Sequence, residues 1–445
     1  MTRAPATGAA RATMRAPAVV FTAAVVAYFV GVTHRTALGV AGVEAAHRFH
    51  LSATGLALFS VVQLAVYAGM QIPAGRLLDR FGARALITVG SLVMATGQLT
   101  LALSDHVPTA LVARVLIGAG DAGIFISAIR LVADWFPPRR APVMVQVTGV
   151  IGQSGQLASA IPVAWLLHAH GWTATFGTLA GAGLLASAGA FFGIRDRTLR
   201  APAAHTERFT HAVRTAVRPA GTRLGFWSHF ATPFSANVVG MLWGVPFFLT
   251  AQGLTPAQAS LLLTSLTLSA MASGPVVGRL TARHPLRRSW LVLGSCVATA
   301  LVWVALLVPS TPRPMWQLLV FVVVVGAGGP VSLVGMDFAR TWSPSTSLGT
   351  ATGFVNTGGF ISTIGSVLAV GVVLQLVSPA GATTYTLDAY RLAFAVLVVP
   401  WTLGVVGVLR SRRRTRADMH AAGVVVPPLR DVLGRRRAPR LDDAA

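Results

Sequence analysis

The chain has no lysine, a single cysteine and only 13 acidic residues among 445. Without lysine there can be no Gly-x-x-x-x-Gly-Lys-Ser/Thr phosphate loop, which excludes nucleotide-driven work of that kind. With Cys296 alone, no intramolecular disulfide and no cysteine metal cluster can form. No His, Cys or carboxylate group has metal-ligand spacing, and no Ser–His–Asp set or pair of catalytic carboxylates stands out. No enzymatic activity, metal or cofactor is therefore expected. The largest shortfall is charge, at 11% of residues against about 25% in a soluble domain. A chain so poor in charge and 54% hydrophobic cannot cover itself for water on every side, so lipid must be its solvent.

The remaining charge is mostly arginine and is unevenly placed. All 36 basic residues are arginine and the net charge is +23, yet they fall in short gaps and in the two tails rather than on one face. This placement speaks against a nucleic-acid partner. Between the gaps lie twelve apolar runs, at 17–40, 53–74, 84–104, 108–131, 143–168, 173–194, 224–250, 258–279, 289–309, 315–338, 349–376 and 391–410. They have the length of membrane helices and lack the strict alternation of barrel strands. The first run follows a basic start but is too long for a signal-peptide core, and it reads as an uncleaved helix.

If the N-terminus is cytoplasmic, thirty-one arginines fall on the cytoplasmic side and three (Arg48, Arg313 and Arg391) on the outer side. Such a split is a strong positive-inside signal. It predicts a multi-pass protein of the plasma membrane with both termini inside. The expected division is a tail 1–16, six helices over 17–194, a basic central loop 195–223, six helices over 224–410 and a basic tail 411–445.

The two halves repeat one plan. "GRLLDR" starts at Gly75 and "GRLTAR" at Gly278; "LIGAG" ends at Gly120 and "VVGAG" at Gly328. Thr148–Gly149 recurs as Thr352–Gly353, and Gly155 as Gly359. These matches occur in order at nearly one offset, the pattern of a duplicated six-helix unit.

On these residues the chain resembles a major facilitator superfamily transporter. Gly75, Asp79, Arg80, Gly82 and Arg84 match that family's loop between helices 2 and 3. Arg114, Gly118 and Gly120 match its fourth-helix motif. The resemblance implies an all-α membrane protein of twelve helices in two pseudo-symmetric halves, alternating access, function as a monomer and a small-molecule substrate. It also implies that the loop at 75–84 latches the halves in one state; topology anchoring is the alternative, one for which Asp79 is not needed. The drug/proton antiporter branch carries Gly-Pro-x-x-Gly-Gly in its fifth helix, whereas here Gln153 stands where that proline is expected.

Ionisable residues at membrane depth point to a site. Arg35 and Arg114 lie at similar depth in helices 1 and 4. They either snorkel outward or form a pair of cavity guanidiniums that grip a carboxylate or phosphate by forked bonds. Asp121 is two turns beyond Arg114, near the midplane. It is a proton carrier, the structural partner of Arg114 or Arg35, or a neutral packing acid. Asn237, Asn356, Gln63, Gln153 and Gln156 are candidate cavity polar groups, and Trp243 and Tyr67 candidate stacking rings, with helix–helix bonding as the alternative. His34 is a candidate helper beside Arg35. Asp337 with Arg340, and Arg130 with Asp134, read as helix-end pairs.

The expected function is secondary active transport of a small solute, coupled to protons, with a small organic anion favoured and efflux of hydrophobic or cationic compounds as the alternative. The topology is directly testable. A reporter active only in the cytoplasm should work when fused after Arg412 and stay silent after Thr311; the reverse pattern would overturn the orientation.

Overall fold

The computed structural model describes residues 7–50, 53–197, 209–379, 382 and 384–426. Residues 1–6, the middle of the expected central loop (198–208) and the expected tail beyond 426 lie outside the described residues. Every regular element described is helical, and ten helices are long and apolar enough to cross a membrane. Two of these ten are pairs run together. The backbone turns at Gly82 (φ 84°) and at Gly171 (φ 76°), conformations that glycine adopts without a Cβ clash.

Separating those pairs gives twelve crossing helices. They are α1 (Thr7–Val40), α2 (53–81), α3 (83–102), α4 (Val107–Trp135), α5 (141–170) and α6 (172–193) in the first half. In the second half they are α7 (Ala220–Ala251), α8 (Pro256–Arg283), α9 (Ser289–Leu307), α10 (Met315–Trp342), α11 (Ser345–Val377) and α12 (Leu387–Ala421). Each falls where an apolar run predicted it. The differences are at the helix ends: α1 begins at Thr7, inside the expected N-terminal tail, α2 runs on to 81, and α12 passes residue 410 and continues to Ala421. Arg412 lies over the Trp290 ring at 4.5 Å and donates Nε to Ser289 Oγ at 3.1 Å. The beginning of the expected tail is thus helix docked on α9. Part of the central loop is also helical, at Phe209–Val217, with Ala212 and Ala216 buried.

Both α4 and α10 are interrupted, α4 after Asp121 and α10 after Val331. Pro330 accounts for the break in α10, since its ring cannot continue the hydrogen-bond ladder. Side chains of neighbouring helices reach a carbonyl at each break. Gln71 Nε2 lies 3.4 Å from the Ala122 carbonyl, and His229 Nδ1 lies 3.0 Å from the Ser332 carbonyl.

Each half has its own apolar core away from the chain ends. Phe49, Phe59, Trp172 and Phe176 form one, and Phe247, Trp303, Phe321 and Phe394 the other. At the basal end, where α1 starts and α12 finishes, a single cluster spans both halves, joining Ala24, Leu78 and Val145 to Met336, Ala351 and Val355. Two backbone crossings seal this end, and both use the repeated glycines. A methyl on Gly75 of α2 would collide with the Gly349 carbonyl of α11, and one on Gly278 of α8 would lie 2.9 Å from Val143 Cα of α5.

Gly75→Ala should therefore lower the melting temperature of the purified protein, by an overpacking cost of about 1–3 kcal/mol. Gly69→Ala on the same helix meets nothing within 4 Å, and should be neutral or stabilising by up to about 1 kcal/mol. Equal melting of the two variants would show that the crossing tolerates a side chain.

Candidate functional site

A cavity of about 220 Å³ lies between the halves. Its polar lining comes from α1 (Tyr28, Arg35), α2 (Tyr67), α5 (Gln146, Gln153, Gln156), α7 (His229, Asn237) and α11 (Asn356). Arg35 is the one cation among these lining residues, and Asp121 of α4 stands behind it. Arg35 Nε donates to Asp121 Oδ2 at 2.6 Å, and Nη2 donates to Oδ1 at 3.0 Å. Asp121 is fully buried, while the Arg35 side chain keeps 24% of its surface exposed. Gly31 on α1 faces the Asp121 carboxylate, at 3.5 Å from where a methyl there would stand, an ordinary contact. The Tyr67 ring lies 4.6 Å from the guanidinium carbon and meets Phe360 of α11 edge-on at 4.8 Å.

In this structure Asp121 is paired with Arg35 rather than with Arg114. Arg114 is not brought to the cavity. It is 2% exposed, its Nε reaches only the Phe59 carbonyl at 3.4 Å, and its Nη1 has no described partner. Seven residues do put Arg114 and Asp121 on one face of α4. That face packs against α2 at the level of Arg114 and against α1 at the level of Asp121, so the two never share a ligand here.

The other candidates divide. Asn237 donates Nδ2 to Thr363 Oγ1 at 2.9 Å, and Asn356 donates Nδ2 to Gln71 Oε1 at 2.7 Å across the halves. Both line the cavity, as do Gln153, Gln156 and Tyr67. Trp243 does not; its Nε1 donates to the Val367 carbonyl at 3.0 Å and ties α7 to α11. Gln63 and His34 are buried outside the cavity. Sequence reasoning missed His229, Tyr28 and Gln146. A histidine inside an apolar helix, as in "WSHFATPF", was itself a signal for the first.

Beneath the cavity, bonds between halves continue to the basal end. Gln146 Nε2 donates to the Pro330 carbonyl at 2.9 Å. Asp79 then accepts from the backbone N–H of Gly349 at 2.7 Å and of Thr350 at 2.8 Å, and from Thr350 Oγ1 at 2.7 Å. These are amides of the first turn of the helix Leu348–Val377, whose own N-cap Ser347 makes no side-chain cap bond. The first half thus caps a helix of the second. Arg130 adds an ion pair to Asp79 at 3.5 Å and a bond to the Ser345 carbonyl at 2.8 Å. The rest of the loop is held locally. Asp196 accepts from Ala83 N at 2.8 Å beside Gly82, Arg84 donates to the Phe191 carbonyl at 2.7 Å, and Arg80 lies over the Phe81 ring at 5.1 Å. The expected helix-end pairs also form, Arg130–Asp134 at 3.1 Å and Arg340–Asp337 at 2.6 Å.

The family model for the Major Facilitator Superfamily matches residues 24–247 and 225–438. The chain belongs to this superfamily. The solved structure of the proton:xylose symporter XylE, bound to 6-bromo-6-deoxy-D-glucose, has the same fold; the likeness has a TM-score of 0.63 at 14% identity and covers 89% of this chain and 96% of that one. Among curated superfamily relatives, the uncharacterized transporter YybO of Bacillus subtilis is 30% identical over 145 residues, 33% of each chain. The probable galactarate/D-glucarate transporter GudP of Escherichia coli is 29% identical over 160 residues, 34% of this chain and 35% of that one. The probable L-galactonate transporter of the same species is 28% identical over 178 residues, 40% and 38%. The chain matches only about a third of the length of these relatives.

The forked pair sets a stability expectation. Asp121→Asn leaves Arg35 without a counter-charge and should cost about 3 kcal/mol, near the lower end for a broken buried pair because Arg35 is partly exposed. Arg35→Gln combined with Asp121→Asn should recover most of the loss in thermal melting. Additive losses would mean that the two side chains do not act as a pair.

Proposed function

We propose that the protein is a proton-coupled transporter of small organic anions in the plasma membrane, with Arg35 as the anion anchor and Asp121 as the proton site. The observation that carries this reading is the Arg35–Asp121 pair at the wall of a small cavity. An isolated charge is costly at this depth, so Arg35 needs a counter-anion in every state. Protonation of Asp121 removes its present one, and a substrate carboxylate then takes that place through the same forked geometry. For a monoanion, one proton and one substrate enter together and the site stays neutral. The cavity lies below the roughly 300–1,000 Å³ of drug-sized sites. Its volume favours small acids over bulky efflux substrates. The named substrates of the galactarate/D-glucarate and L-galactonate relatives are organic acids and agree with this class.

The loop at 75–84 serves as the latch of the state closed at the basal end. Asp79 must leave the α11 amides before that end can open. The arginine bias makes the basal end cytoplasmic, so the cavity belongs to an outward-facing state, and both termini are cytoplasmic. Six-helix halves at 17–194 and 224–410 rock as units, and one chain suffices for transport.

The experiment is paired, in proteoliposomes with labelled gluconate and glucarate as probes. Asp121→Asn should abolish accumulation under an imposed pH gradient yet keep counterflow, since exchange needs no net proton movement. Arg35→Lys should lose both, because an ammonium cannot replace the fork. Retention of gradient-driven accumulation in Asp121→Asn would remove its proton role, and loss of counterflow in folded protein would make that role structural.

A further inference from the structure

We propose that the transported anion is a hydroxylated monocarboxylate, and that His229 recognises it by accepting a hydrogen bond from a substrate hydroxyl at Nε2. This rests on the organic-anion reading of the cavity and narrows it.

The argument begins with the break in α10. The Ser332 carbonyl carries no proton, so the 3.0 Å contact to His229 Nδ1 requires the hydrogen on the ring. A neutral imidazole has one N–H, and Nε2 is then a lone-pair acceptor. His229 lines the cavity, and its ring edge lies against Gly359 of α11, which also lines it. A methyl on Gly359 of α11 would lie 2.6 Å from His229 Cδ2 and 2.8 Å from Nε2. The neighbouring groups of the second half add a further acceptor. Asn237 turns its amide nitrogen to Thr363 and keeps its oxygen for a ligand, whereas the Asn356 side chain is shared between Gln71 and His229.

The two walls therefore differ in kind. The first half offers a guanidinium that donates, and the second offers lone pairs. A carboxylate at Arg35 with hydroxyl groups reaching α7 satisfies both. A second carboxylate on the α7 side would face lone pairs, and an alkyl chain would leave them without partners, which is costly in a buried site.

Thermal shift of the purified full-length protein tests this with four probes of similar length: D-gluconate, hexanoate, D-glucarate and sorbitol. Gluconate should bind roughly tenfold more tightly than hexanoate or glucarate, as expected for a buried acceptor left unpaired. Sorbitol should give no shift. His229→Asn keeps a donor toward Ser332 but withdraws the Nε2 acceptor, and should weaken gluconate relative to hexanoate until the two bind alike. Gly359→Ala, which covers the same ring edge, should do likewise and carries the test if His229→Asn does not fold. Wild-type binding of hexanoate or glucarate as tightly as gluconate would overturn the proposal, as would equal weakening of both monoacids by either variant. A shift with sorbitol, or none with any acid, would instead sink the anion reading beneath it.

Discussion

The cavity is organised by the need to neutralise one guanidinium where water screens little. Arg35 is held by two hydrogen bonds from a carboxylate with no solvent exposure. At low dielectric an attraction at this distance far exceeds its value in water, but desolvation of both groups offsets much of it. Such a pair is therefore poor evidence for stability. The helix segment Val107–Asp121 ends at the acid itself, so the carboxylate stands with carbonyls at the negative end of a helix dipole. Arg35 faces a negative region that persists in part when Asp121 is neutral.

The same economy governs the closed end. A membrane helix that begins at an interface between halves has first-turn amides in need of acceptors. The helix beginning at Leu348 receives them from Asp79 instead of from its own N-cap residue. A cap of this kind contributes about 0.5–2 kcal/mol, enough to bias two states and too little to fix one. Gly75 makes it possible, because only a helix without a Cβ at that point lets α2 come close enough to α11. At the related crossing, Gly278 provides the same approach to α5, but Ala282 stands where an acid would be needed. The scaffold repeats; the polar clasp does not.

This division explains what could be read in advance. Helix number and the repeated glycines follow from patterns that lipid and close packing impose on every residue of a helix, so they were legible. Pairing across helices was not. Arg114 and Arg35 have the same depth and composition on paper, and only the azimuth of α4 against α1 decides that Asp121 meets Arg35 while Arg114 packs on Phe59. Trp243 was likewise assigned by type, whereas its indole N–H is taken by the Val367 carbonyl. The extension of α12 was missed because arginines end a hydropathy run without ending a helix. At Arg412 the docking partners are a ring and a hydroxyl on another helix, invisible to composition.

The duplication leads to a last point about where coupling can reside. The repeat that aligns Gly120 with Gly328 sets Gly329 at the place of Asp121. Gly329 lines the cavity, so the second half has open space where the first has its acid. No carboxylate from α7–α12 is among the lining residues, and His229 is the one ring there able to take a proton. Charge chemistry is thus concentrated in the first half, whereas the second contributes shape and neutral polarity. A duplicated ancestor gave both halves the same hinges and crossings. What makes them unequal is a few side chains, which set the lining cation and its acid in the first half and leave the lining of the second neutral.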